Sequence, residues 1–125
     1  MREFLGSPHV ESFIACSDAE PVGFALVEAP PGQRGLADLV AIAVKLRHRR
    51  TGVGRALLTT VIASREAQDE TSLLVLTVAD DNDEAIALFR AHGFEMIPGS
   101  FGLYAGGQTS RRMARAVRPR PREAR

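Results

Sequence analysis

Apolar residues recur along this chain with two periods, two and about 3.6, and the switches between them mark out the elements. Residues 11–16 (ESFIAC) and 21–28 (PVGFALVE) are short, rich in Phe, Val and Ile, and separated by Ser17-Asp18-Ala19-Glu20. They read as the two strands of an antiparallel hairpin. Residues 30–35 (PPGQRG) break the pattern, and residues 36–44 (LADLVAIAV) restore it as a third strand. Asp38, Val40, Ile42 and Val44 alternate there with Leu39, Ala41 and Ala43, so both faces are expected to be largely covered. From Gly52 to about Ser64 the period lengthens, and Val53, Leu57, Leu58, Val61 and Ile62 share one face of a helix that ends by residues 66–69.

Residues 73–78 (LLVLTV) form a buried strand, and residues 82–92 a second helix. Asn82 is its cap, Asp83 and Glu84 suit the dipole, and Gly93 ends it in a left-handed conformation. Residues 94–97 (FEMI) are a short strand, 98–107 are Gly-rich and turn-like, and 111–117 (RRMARAV) are a last strand with Met113 inward. Residues 1–5 hold the last turn of a helix, with Gly6-Ser7-Pro8 as a breaker. Strands alternating with two helices after a hairpin predict an α/β (α+β) fold, a mixed, twisted sheet of about six strands with two main helices. It forms one domain over residues 1–117, and residues 118–125 (RPRPREAR) form an Arg/Pro-rich disordered tail.

Composition changes this picture in a few places. At 125 residues the chain can bury one core. Cys16 is the only cysteine, so no intrachain disulfide forms, which suits a reducing interior and a cytoplasmic location. No apolar run approaches the roughly 20 residues of a membrane span, and no signal peptide is recognisable. Net charge is +1, but residues 111–125 carry seven Arg and one Glu. A nucleic-acid contact is the weaker reading of that segment, because no aromatics are interleaved; a solvated tail is the stronger.

The candidate chemistry sits between the third strand and the first helix, at KLRHRRTGVGR. The first turn of a helix has unpaired N–H groups and the positive end of the dipole, and glycines let a phosphate approach the backbone. No Lys-Ser/Thr follows the glycines, and the spacing is not G-x-G-x-x-G, so neither nucleotide fingerprint is present. What remains is Arg49-x-x-Gly52-x-Gly54, which resembles the pyrophosphate motif (Q/R-x-x-G-x-G/A) of the GNAT acetyltransferases. A second segment, from Asn82-Asp83-Glu84-Ala85 through Leu88-Phe89 to Gly93-Phe94, resembles the N-x-x-A-x-x-L-[YF]-x-x-x-G-F stretch of the same family. The two occur in the right order, with a helix and a strand between them.

The resemblance implies acetyl-CoA bound where the strands 36–44 and 73–78 splay apart, with no metal. It implies that backbone groups of Ile42, Ala43 and Val44 pair with the pantetheine arm. Arg49, Arg50, Thr51, Gly52, Val53, Gly54 and Arg55 would then hold the pyrophosphate, and Asn82 and Phe89 would line the pantetheine side. The implied reaction is direct transfer of the acetyl group to a primary amine of a small molecule or peptide in a ternary complex. The N–H of Val44 or a neighbour would stabilise the oxyanion.

The sequence departs from the family pattern in three ways. Phe89 stands where many members carry a tyrosine acid; Tyr104, the only tyrosine, is the substitute donor, or else a packing residue. A thiol of pKa about 8.5 leaves as its anion in any case. Thr77 stands where some members carry a glutamate base, and Asp38 aligns with the glutamate of the histone-acetylating branch. Asp38 is therefore the candidate base, set against a strand-end aspartate in an ion pair; Glu28 is weaker. His48 reads as a solvated loop residue, and Cys16 as a small packed hydrophobe. The two helices that shape the acceptor site in typical members are not found after the start, so the domain reads as N-terminally truncated. An apolar sheet edge or face left open would favour a homodimer. A non-catalytic acyl-CoA-binding module is the alternative to an enzyme.

Overall fold

The computed structural model describes residues 2–4, 9–33, 35–68, 71–103 and 107–117, and the tail 118–125 lies outside the described residues. The strands are β1 (Arg2–Phe4), β2 (Val10–Ser17), β3 (Glu20–Glu28), β4 (Gly35–Val44), β5 (Thr71–Ala79), β6 (Glu95–Leu103) and β7 (Thr109–Ala116). The helices are α1 (Val53–Ala67) and α2 (Asp83–Ala91). One sheet holds all seven strands in the order β1-β2-β3-β4-β5-β7-β6. Only β4 and β5 are parallel, as the crossover through α1 requires; the other neighbours are antiparallel.

The apolar stripe of α1 (Leu57, Leu58, Val61, Ile62) and the apolar positions Ile86 and Phe89 of α2 bury against Phe13, Ala25, Val27, Leu39, Leu74, Leu76 and Met113 of the sheet. Both helices share this face: Thr59 Oγ1 of α1 lies 3.5 Å from His92 Nε2 at the end of α2. Asn82 caps α2 by accepting from the Ala85 amide at 3.2 Å, and Gly93 follows at φ +88°, both as expected from the sequence. Among the described residues no helix covers the opposite face. Phe24, beside the buried Ala25, and Leu73, beside the buried Leu74, stay 42% and 38% exposed there.

Four elements differ from expectation, each for a physical reason. Residues 2–4 are a strand on the edge of β2 (Arg2↔Phe13, Glu3↔Ser12, Phe4↔Glu11), where the last turn of a helix was expected. So short a segment gains more from a ready sheet edge than from a costly helix nucleus. β6 runs on through Pro98 and Gly99 to Leu103, although 98–107 was expected to turn. As an edge strand it tolerates proline, and a register shift between Met96 and Phe101 absorbs the irregularity. β4 is not covered on both faces: Val40 is the extra residue of a bulge, since Val27 pairs with Leu39 and Leu26 with Ala41, and it is 57% exposed. Cys16 is exposed at the end of β2 instead of packed, where the β2–β3 register shifts between Ala15 and Cys16.

Candidate active site

The ladder between β4 and β5 lasts five residue pairs, from Gly35↔Thr71 to Leu39↔Leu76, and then stops. Beyond that point β4 follows β3 out to Val44, while β5 follows β7 out to Ala79. The strands part at the Val40 bulge, which bends the strand that carries it. A fork opens between them in the middle of the sheet. The amide of Lys45 donates to Val22 O at 2.8 Å, so by antiparallel alternation Ala43 also turns its N–H and C=O to β3. Ile42 and Val44 must then point theirs into the fork. Of the three expected backbone contacts, Ile42 and Val44 offer groups there and Ala43 does not.

At the mouth of the fork lies the basic loop. A 3-10 turn over Leu46–His48 leads to Arg50 at φ +63° and to Gly52 at φ +91°, which is the N-cap of α1. The Thr51 hydroxyl donates to His48 O and closes the loop on itself. The first helical bond is Ala56 N–H to Gly52 O, so the amides of Val53, Gly54 and Arg55 have no partner within the helix. No side chain caps this end and no acidic residue stands in its first turn. Gly54 faces α2, where an added Cβ would meet Leu88 Cδ2 at 3.5 Å and Val44 Cγ2 at 3.9 Å, ordinary contacts. Gly52 faces open space, and its left-handed φ is what demands glycine.

The arginines of the loop already have work. Arg49 Nε donates to Val44 O at 3.4 Å, across the end of the fork. Arg50 bonds Glu84 Oε2 at 3.3 Å, tying the loop to the first turn of α2, with both side chains exposed. Arg55 is exposed on α1, and Asn82 stands on the far wall. Phe89 is only 4% exposed, its ring edge-on to Phe94 with centroids 5.8 Å apart, so it supports the fork from the core. Tyr104 lies outside the described residues.

On the face without helices, Asp38 lies just before the point where the strands part. Its Oδ2 is 3.6 Å from Arg112 Nη2, and Arg112 Nη1 donates to Thr77 Oγ1 at 2.9 Å. Glu28 is the cross-strand partner of Asp38. Arg112 escaped the sequence reading because only the β5–β7 register (Thr77↔Arg112) brings it to the fork. The alternation around Met113 was the signal that placed it on the face opposite the core. Among the described residues no three His, Cys, Asp or Glu side chains are grouped to hold a metal ion.

A model of the Acetyltransferase (GNAT) family matches residues 1–94, which carry the fork, the basic loop and both helices. The chain belongs to the GNAT acetyltransferase family. Mouse N-acetyltransferase family 8 member 3 is 30% identical over an alignment of 106 positions that covers 82% of this chain and 46% of that protein. The chain thus spans about half the length of this curated relative. The ribosomal-protein-S18-alanine N-acetyltransferase of Escherichia coli has a TM-score of 0.78 at 24% identity, over 95% of this chain and 76% of its own. Ard1 from Thermoplasma volcanium has a TM-score of 0.76 at 28% identity, over 87% and 70%. The mixed sheet with two helices is that of the GNAT fold.

Proposed function

We propose that this GNAT protein transfers an acetyl group from acetyl-CoA to a primary amine by direct attack in a ternary complex. The observation that carries this reading is the fork between β4 and β5, with the open amides of Ile42 and Val44 along one side and the uncapped start of α1 at its mouth. The donor set fits the ligand. The amides of Val53, Gly54 and Arg55, backed by the helix dipole, take the pyrophosphate, and Thr51 and Gly52 shape the turn that presents them. Arg49, Arg50 and Arg55 supply the charge, and Arg49 exchanges Val44 O for a phosphate oxygen. Ile42 and the C=O of Val44 bond the pantetheine amides as an added strand would, and Asn82 stands on the opposite wall with Phe89 supporting it from the core.

Bound acetyl-CoA supplies an acyl group activated by a thiol leaving group. The N–H of Val44, turned into the fork, stabilises the charge that develops on the acyl oxygen. The amine arrives as an ammonium and gives one proton to Asp38. The C–N bond forms, the C–S bond breaks, and the second proton of nitrogen passes to the departing thiolate. Phe89 has no proton to give, and Tyr104 is the donor candidate on sequence grounds.

Acetyl-CoA should raise the melting temperature of the wild-type protein, because a ligand that binds only the folded form stabilises it. Arg49→Glu combined with Arg55→Glu should remove most of that shift. Amine-dependent release of free thiol should accompany binding. A melting temperature indifferent to acetyl-CoA would refute the reading, and binding without thiol release on any amine would leave a non-catalytic acyl-CoA-binding module.

A further inference from the structure

We propose that Arg112 reads a carboxylate on the acceptor, and hence that the acceptor is an amine that carries a carboxylate close to its nitrogen, as a free amino acid does. The inference rests on the acetyl-transfer reading above and adds the substrate class to it.

Position comes first. Leu76 is the last β5 residue paired with β4, and Thr77 is the first beyond it. Arg112 stands directly opposite Thr77 on β7, shares its face of the sheet, and reaches over β5 towards Asp38 on β4. Its guanidinium therefore spans the vertex of the fork, on the face away from α1 and α2. An acceptor entering from that face does not compete with the basic loop.

Capacity comes second. Arg112 is held at one nitrogen by a neutral oxygen, Thr77 Oγ1, and its carboxylate neighbour at 3.6 Å is beyond hydrogen-bond distance. A guanidinium has five N–H donors in a planar fork that matches a carboxylate with two parallel bonds. The side chain is 41% exposed, so further donors are open to a ligand.

The backbone beneath is fixed for the purpose. Ser100 Oγ accepts from the Arg112 amide at 3.1 Å and donates to Arg112 O at 3.3 Å. This hydroxyl fills the place where the β6–β7 ladder lapses between Met96 and Phe101. Arg112 thus keeps its place at the one stretch of β7 where the strand bonds fail.

Charge then selects the class. Asp38 and Arg112 present a negative and a positive group side by side, and an ammonium with an adjacent carboxylate is the mirror of that pair. The ammonium goes to Asp38, where Glu28 adds a second negative charge, and the carboxylate goes to Arg112. A long, half-exposed ion pair contributes at most about 1 kcal/mol to folding, so a purely structural duty would leave acceptor choice untouched on removal.

The test compares phenylalanine with phenethylamine, and alanine with ethylamine, by thiol release. The wild-type protein should favour the amino acid of each pair by at least about tenfold in kcat/KM, mainly through KM. In Arg112→Gln the ratio within each pair should collapse towards one, and Arg112→Lys should recover part of it. Because both variants face the same two amines, intrinsic differences in amine basicity cancel from the comparison. The acetyl-CoA melting shift should persist in both. Equal use of amino acid and amine by the wild type, or a preference that survives in Arg112→Gln, overturns the proposal. So does transfer to neither, and if the acetyl-CoA shift persists in that case the cofactor site stands; a missing shift refutes the underlying reading instead.

Discussion

Arg65 near the end of α1 is buried, and so is Glu11 on β2, whose Oε1 lies 3.1 Å from Arg65 Nη2. Gln68 Oε1 at 2.9 Å and Thr71 Oγ1 at 3.4 Å take further donors of the same guanidinium. Removing two charges from water costs several kcal/mol each, so the pair holds only while both members are present. Glu11→Ala should therefore lose about 3–5 kcal/mol of stability in denaturant unfolding. Glu11→Leu with Arg65→Met, which removes both charges and refills the space, should recover most of that loss. A single variant as stable as wild type would show that water reaches the guanidinium. The Arg50–Glu84 pair is the contrast. With 86% and 64% of its side chains exposed, it contributes at most about 1 kcal/mol, and its interest lies in where it stands, across the mouth of the fork.

Elements were legible in proportion to how strongly their own residues decide them. The β2–β3 hairpin closes through Asp18 and Ala19, at φ +52° and +67°, between the paired Ser17 and Glu20. Two central residues with positive φ make a type I′ turn, which suits Asp-Gly far better than Asp-Ala. Ala19→Gly should add on the order of 1 kcal/mol, seen as a rise of a few degrees in melting temperature, because the left-handed strain of an alanine is relieved. A fall in melting temperature would mean that the unfolded chain's added freedom outweighs that strain. The helices were legible from the spacing of Leu57, Leu58, Val61 and Ile62 and from the cap at Asn82. The Val40 bulge was not, because LADLVAIAV alternates without a break and the extra residue exists only relative to β3. β6 beyond Pro98 was hidden for a related reason: proline signals a break, and only a place at the edge of a sheet makes it harmless. The basic loop and its glycines could be read directly, whereas Arg112 needed the β5–β7 register.

At the scale of the whole molecule, one face of the sheet carries both helices and the other carries none among the described residues. Phe24 and Leu73 are exposed on the bare side. We propose that the Phe24 end of this face, away from Asp38 and Arg112, pairs two copies of the chain and leaves the acceptor's entry open. Sedimentation should show a dimer for wild type and a monomer for Phe24→Asp, with the fold unchanged by circular dichroism. A monomeric wild type at high concentration would remove the idea.

The fork has a mechanical side. α1 lies over β2, β3 and β4, while α2 is tied to the other strands through Phe94 and through Arg115, whose Nε donates to His92 O. The molecule is thus two half-sheets, each with its own helix, hinged along five residue pairs and a helix–helix seam at Gly54 and Leu88. Most sheets are weakest at their rims; this one has its seam down the middle. Whatever lies in the fork and bonds to both sides acts as a clasp, so that the grip of the protein on its ligand and the grip of its two halves on each other are one quantity seen from two directions.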